Sequence, residues 1–152
     1  MSVCTWKNDG YGICISDLKE EIQLSRLMKL IETAPKLYKN IKTYESECCG
    51  GQIIENYDIL VSYVEEFGEV NYGGLASILY EVIKEAEGIE LIVSTDFNDK
   101  VYLIYAPAYP WELSDKEQNL TEDTLTEIYS KYLHIVTDEP LTVKYHYVEG
   151  CS

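Results

Sequence analysis

The sequence predicts an α+β fold in which a mainly antiparallel sheet of about four strands is covered on one face by about five helices. Several segments repeat apolar residues at the spacing of a helix, and three others are rich in β-branched and aromatic residues. These segments show no regular βαβ alternation and no internal repeat, which favours a mainly antiparallel sheet. The predicted order is β-α-α-α-α-β-β-α-β.

The first part of the chain predicts one strand and two helices. Residues 11–15 form the strand, after a turn signal at Asn8-Asp9-Gly10. Ser16 or Asp17 is expected to cap the first helix, whose apolar positions repeat at helical spacing. Those positions are Leu24, Leu27, Met28 and Ile31. Thr33 is expected to cap the second helix, which ends at Gly50-Gly51.

Residues 53–67 and 72–86 give the clearest helical patterns, because the apolar face and the stop signals agree. Gly68 ends the first of these helices, whereas Asn71 is expected to cap the second and Gly88 to follow it. The apolar face of the second helix comprises Leu75, Ile78, Leu79, Val82, Ile83 and Ala86.

The last third of the chain predicts a β-hairpin, a loop, a helix and a strand. The hairpin joins residues 89–95 and 101–106 through a five-residue turn, and the loop covers residues 107–120. Thr121 is expected to cap a helix over residues 121–134, and residues 141–148 form the final strand. The buried face of this helix is predicted to be Leu125, Ile128, Tyr129, Tyr132 and Leu133.

Length and composition predict a single domain over residues 1–152. The N-terminus lacks the basic and apolar regions of a signal peptide, and no segment approaches the roughly 18 consecutive apolar residues of a membrane span. We therefore expect a cytoplasmic protein. The five cysteines are an odd number without CxxC spacing, which argues against both a disulfide framework and a zinc site.

Negative charge dominates one part of the chain. The formal net charge is −15, but residues 1–44 carry seven basic and five acidic side chains, and the excess of carboxylates lies after them. Residues 45–90 contain eleven carboxylates and a single lysine. Such a surface repels phosphate backbones and anionic membranes, whereas it attracts a basic protein partner.

The predicted partner-binding residues lie on the two clearest helices and in the long loop. Carboxylates on the outer sides of these helices would form an acidic field, and the Tyr109-Pro110-Trp111 segment offers an aromatic anchor. A loop folded over the core explains Tyr109 and Trp111 equally well. The acidic residues of this prediction are Glu65, Glu66, Glu69, Glu81 and Glu85.

No catalytic, cofactor or metal site is predicted. Neither His134 nor His146 has metal-ligand spacing, although Cys14 and His146 lie on predicted strands and could meet in space. The acidic turn after Asp96 lacks the glycine and the final glutamate of a calcium loop, which favours an ordinary hairpin turn. Gly73-Gly74 opens a helix without a basic neighbour, which favours close packing over phosphate binding.

Three stretches carry a resemblance to other proteins: residues 6–12, residues 109–112 and residues 120–140. They resemble small uncharacterised proteins of Gram-positive gut bacteria, some of which are carried on prophages or other mobile elements. The resemblance extends over most of the chain and brings no catalytic residues with it. It implies a counter-defence or regulatory role.

These observations lead to the expectation of a non-enzymatic interaction or regulatory module that binds a basic protein surface. In one version, the protein is a nucleic-acid mimic, an anti-CRISPR-like inhibitor whose carboxylates stand where phosphates would lie in the groove of a nuclease or repressor. The alternatives are a small enzyme whose active site follows no known motif, and a domain of unknown role. A deep pocket with convergent polar groups would favour the enzyme.

Overall fold

A four-stranded antiparallel sheet forms one layer of the protein and helices form the other, as predicted. The computed structural model describes residues 5–48, 57–106 and 115–151. The strands are β1 (Thr5–Cys14), β2 (Ile92–Thr95), β3 (Val101–Tyr105) and β4 (Lys144–Cys151). The helices are α1 (Leu24–Glu32), α2 (Pro35–Cys48), α3 (Tyr57–Phe67), α4 (Leu75–Glu87), α5 (Asp115–Gln118) and α6 (Glu122–Val136).

The sheet has the strand order β2-β3-β1-β4, and every neighbouring pair is antiparallel. The long strand β1 pairs with β4 along most of its length and with β3 through its last residues only. A side chain at Gly12 would overlap the carbonyl oxygen of Leu103, so glycine permits the close approach of β1 to β3. The first half of β1 comes close to β2, where Asn8 Nδ2 donates to Ser94 Oγ at 3.0 Å.

The turn predicted at Asn8-Asp9-Gly10 was wrong. These residues lie inside β1, where Asn8 pairs with Val148 and Gly10 pairs with His146. The ladder with β4 satisfies their backbone groups, and this distant pairing overrides the local turn preference. The predicted boundaries of the final strand also differ from the structure, since β4 covers residues 144–151 rather than 141–148.

Helix α6 packs its apolar face on the core as predicted. Its five predicted core side chains are all at most 8% exposed, and Tyr129 Oη also donates to the carbonyl oxygen of Tyr11 in β1 at 2.9 Å. Helix α4 contacts β2 and β3, whereas α1 lies against α6 and α4. The predicted residue Ala86 is exposed and does not line this core.

The predicted helix ends are partly right. Thr121 caps α6 by accepting the N–H of Thr124 at 3.1 Å, and Gly88 ends α4 with a left-handed backbone at a φ of 69°.

Gly74, rather than Asn71, precedes α4. Thr33 ends α1 and donates to the carbonyl oxygen of Leu30 at 2.6 Å, so it does not cap α2 as expected.

Three other predicted boundaries differ from the structure. Ser16 and Asp17 lie in a short 3-10 turn, and α1 begins seven residues after that turn, at Leu24. The hairpin is confirmed, although its first strand begins at Ile92 rather than at residue 89. Gly50-Gly51 and most of the loop at 107–120 lie outside the described residues, and α5 follows at Asp115. Within the described ranges, no helix is long and apolar enough to cross a membrane.

Candidate functional site

Helices α2, α3 and α4 form the face that carries the predicted acidic residues, which we call the α2–α3–α4 face. Helix α4 contacts both α2 and α3. Apolar residues such as Leu60 and Val64 on α3 and Ile78 and Val82 on α4 turn inward, because they recur at helical spacing. The carboxylates between them are therefore directed outward or toward the neighbouring helix.

Glu85 holds the beginning of α2. Its two carboxylate oxygens accept the backbone N–H groups of Lys36 and Leu37 at 2.8 and 3.0 Å. These are first-turn N–H groups, which have no acceptor within their own helix. Glu85 thus caps α2 from a different helix, and its negative charge lies at the positive end of the helix dipole.

Glu65 and Glu81 hold the connection between α3 and α4 in the same way. Glu65 Oε1 accepts the N–H of Gly74 at 3.2 Å, and Glu81 Oε1 accepts the N–H of Glu69 at 2.7 Å. A side chain at Gly68 would come within 2.7 Å of the Glu81 carboxylate, so glycine keeps this approach open. The two carboxylates therefore fix the short connection between the two helices.

Glu69 is the centre of a small charged network. Its carboxylate accepts hydrogen bonds from Lys84 Nζ and from Tyr80 Oη, the latter at 2.9 Å. The hydrogen bond from Lys84, followed by the one from Tyr80, lowers the pKa of Glu69. Burial and the contact with Glu69 raise the pKa of the Tyr80 hydroxyl, which keeps it a hydrogen-bond donor.

Glu66 is exposed on α3 and differs from the other four predicted acidic residues, which all accept hydrogen bonds from the chain itself. The sequence pattern placed these residues toward the outside but did not reveal that Glu65, Glu81 and Glu85 accept backbone N–H groups of other segments. No local signal marks such a cap, because the carboxylate and the N–H group that it accepts are up to 49 residues apart.

An aromatic cluster lies beside these carboxylates, and the sequence prediction did not include it in the site. The ring of Tyr63 lies 4.7 Å from that of Tyr44 on α2 and 5.0 Å from that of Phe67, measured between centroids. Phe67 is 63% exposed. The i, i+4 spacing of Tyr63 and Phe67 is visible in the sequence, whereas the contact with Tyr44 depends on how α2 packs.

A cleft of about 140 Å³ opens between the aromatic cluster and the carboxylates. The described residues that line it include Tyr63 and Phe67, Glu81 and Glu85, and Lys36. Lys42 of α2 pairs with Glu45 of its own helix at 3.3 Å. Tyr109 and Trp111, the other predicted anchors, lie outside the described residues.

Tyr102 contacts both members of the Cys14 and His146 pair that was considered from the sequence. The ring of Tyr102 lies 5.2 Å from that of His146, and Cys14 is the partner of Tyr102 in the strand register. Burial, and then the charge of Asp17, raises the pKa of the Cys14 thiol, which keeps it in the weakly nucleophilic protonated form. Burial lowers the pKa of His146, with a further contribution from Lys144.

The acidic turn after Asp96 is a hairpin turn, as favoured from the sequence. Asp96 Oδ1 accepts the N–H groups of Asn98 and Lys100 at 2.8 and 3.0 Å, and Oδ2 accepts the hydroxyl of Tyr102 at 2.9 Å.

In the described part of the chain, no group of three or more Asp, Glu, His or Cys side chains is arranged to hold a metal ion. Gly73 is packed closely, since a side chain there would come within 2.9 Å of Val93.

Comparisons with known proteins add no family to this description. No protein-family model, no curated protein and no solved structure matches the chain.

Proposed function

We propose that the protein is a non-enzymatic interaction module, and that its α2–α3–α4 face binds a basic segment of another protein. The observation that supports this most strongly is the cleft in which the exposed ring of Phe67 lies beside the carboxylates of Glu81 and Glu85. Exposed aromatic side chains at the edge of a small cleft are typical anchors of protein interfaces. Carboxylates around such an anchor select a positively charged partner, and among the described lining residues Glu81 and Glu85 outnumber the single basic residue, Lys36.

A lysine or arginine side chain of the partner fits the chemistry of this cleft. Its aliphatic stem can lie against Tyr63 and Phe67, while its charged end meets the carboxylates. The capping hydrogen bonds hold Glu81 and Glu85 in place before the partner arrives, which lowers the entropy cost of binding. A carboxylate that accepts one or two N–H groups still has free lone pairs for an added cation.

The acidic face gives more support to a docking site than to a surface that imitates a phosphate backbone. A mimic would need a row of carboxylates whose charge no basic group offsets. On this face Glu69 is paired with Lys84, and Lys36 lines the cleft together with Glu81 and Glu85. The counter-defence role that the resemblance implies is one form of the proposed function, in which the partner is a nuclease or a repressor.

The test measures binding of a fluorescent synthetic peptide rich in lysine and arginine by anisotropy. Phe67→Ala is expected to weaken binding by about tenfold, because it removes the exposed anchor. Glu66→Lys is expected to weaken binding mainly through slower association, and this effect should shrink at high salt.

Two matched controls separate this face from a general charge effect. The first control is Phe97→Ala, since Phe97 is 57% exposed in the hairpin turn. The second control is Glu127→Lys, since Glu127 is exposed on α6. Both controls should bind the peptide like the wild type. Equal losses in the controls and in the α2–α3–α4 variants would mean that only net charge attracts the peptide, and the proposal would then be wrong.

A further inference from the structure

A second and larger cleft lies on another part of the molecule, between the segment after β1 and the beginning of α4. Its volume is about 430 Å³, which is within the usual range of small-molecule sites. It shares no described lining residue with the cleft of the α2–α3–α4 face. Its apolar lining side chains are Ile15, Leu18, Ile22, Leu75 and Val101.

Hydrogen bonds hold the walls of this cleft in place. Ser16 Oγ accepts the N–H of Val101 at 2.8 Å, which joins the first wall to β3. The carboxylate of Glu139 accepts the N–H groups of Lys19 and Glu20 at distances of 3.1 to 3.2 Å, which anchors the same wall to the segment after α6. The opposite wall is fixed where Glu65 accepts the N–H of Gly74. The cleft is therefore a defined feature of the fold.

The space beside Gly74 remains open. Its φ of 59° is in the left-handed region that favours glycine, and a side chain built there would meet no atom of the described residues within 4 Å. The backbone at the beginning of α4 therefore borders the cleft directly.

The charged groups of the cleft are of one sign. Glu20 and Glu21 are exposed and line it, and no basic side chain does so among the described residues. The ring of Tyr57 adds an aromatic surface, which also attracts cations. Apolar walls with carboxylates, and with no cation among the described lining residues, match a ligand that has an apolar body and one positive charge.

We propose that this cleft binds a small organic amine, with the apolar body between Leu18, Ile22 and Val101 and the ammonium group beside Glu20 and Glu21. The cationic head distinguishes this ligand from a fatty acid or a neutral alcohol of the same length. Binding here does not depend on the function proposed for the α2–α3–α4 face, because the two clefts have separate linings.

The test titrates the full-length protein with octylamine, octanol and octanoate below the concentrations at which they self-associate. Methyl NMR signals of Leu18, Ile22, Leu75 and Val101 report binding in the cleft. Octylamine is expected to shift these signals saturably and to bind about tenfold more tightly than octanoate, because the carboxylates attract one head group and repel the other.

The double variant Glu20→Gln with Glu21→Gln keeps the shape of the cleft and removes its charge. It should bind octylamine and octanol about equally, whereas the control Glu122→Gln with Glu127→Gln on α6 should keep the wild-type preference for the amine. The proposal is overturned if the three probes bind alike to the wild type, if none shifts the signals saturably, or if the shifts fall on methyl groups elsewhere.

Discussion

Glu85→Ala tests the physical role of the acidic side chains, because Glu85 caps a helix that is distant in sequence. The substitution leaves the N–H groups of Lys36 and Leu37 without their acceptors. Loss of an ordinary helix cap costs about 1 kcal/mol, and a carboxylate at the positive end of a helix dipole contributes about 0.3–1 kcal/mol more. Hydrogen bonds to a charged acceptor contribute more stability than bonds between neutral groups, so we expect the free energy of unfolding to fall by about 1–3 kcal/mol in total.

Urea unfolding followed by far-UV circular dichroism measures this loss as a lower midpoint at an unchanged slope. Glu85→Gln should fall between the wild type and Glu85→Ala, because the amide retains one acceptor oxygen and no charge. Glu66→Ala is the matched control on the neighbouring helix, and its effect should stay within about 0.5 kcal/mol because Glu66 is exposed. If Glu85→Ala unfolds at the same urea concentration as Glu66→Ala, the capping role is refuted.

Two further predictions concern the core and the pH dependence of stability. Ile128→Ala on α6 should lower the free energy of unfolding by about 2–5 kcal/mol in the same urea assay, because Ile128 is only 8% exposed. A urea midpoint equal to that of the wild type would contradict the placement of Ile128 in the core. Burial and Lys144 lower the pKa of His146 in the folded protein. The contribution of neutral His146 to stability is therefore present above about pH 6.5, and it is lost as the pH falls through the folded-state pKa. The free energy of unfolding should therefore fall more steeply between pH 7.5 and 5 in the wild type than in His146→Phe, and parallel pH profiles would refute this assignment.

Helices with a complete local signal were predictable from the sequence. For α6, the cap at Thr121 and the spacing of Leu125, Ile128 and Tyr129 are all local features, and the structure confirms each of them. Gly88 likewise ends α4 through its own left-handed backbone. Such features depend on neighbouring residues only, so one sequence is sufficient to predict them.

Features that depend on distant pairing were not predictable. The segment around Asp9 has the composition of a turn, yet it belongs to β1 because it pairs with β4 from the other end of the chain. Thr33 and Asn71 are good capping residues by type, but α2 uses Glu85 and α4 begins after Gly74. For α2, the packing of another helix determines which group satisfies the backbone.

The candidate site was predicted in part for the same reason. Helical spacing correctly placed Glu66 on the exposed side of α3. The cleft itself brings together residues of α2, α3 and α4, where Glu85 caps α2 and Glu81 holds the segment after α3. The residue pattern within one helix does not predict how three helices pack against one another.

A backbone amide NMR titration with the peptide rich in lysine and arginine is the most direct test of the proposed docking face. We predict saturable shifts concentrated on α2, α3 and α4 near Lys36, Tyr63 and Phe67, which line the cleft. The same titration on Phe67→Ala should give smaller shifts at the same positions. Shifts spread evenly over all exposed acidic residues, or concentrated on β4, would contradict the proposal that this face binds a basic partner.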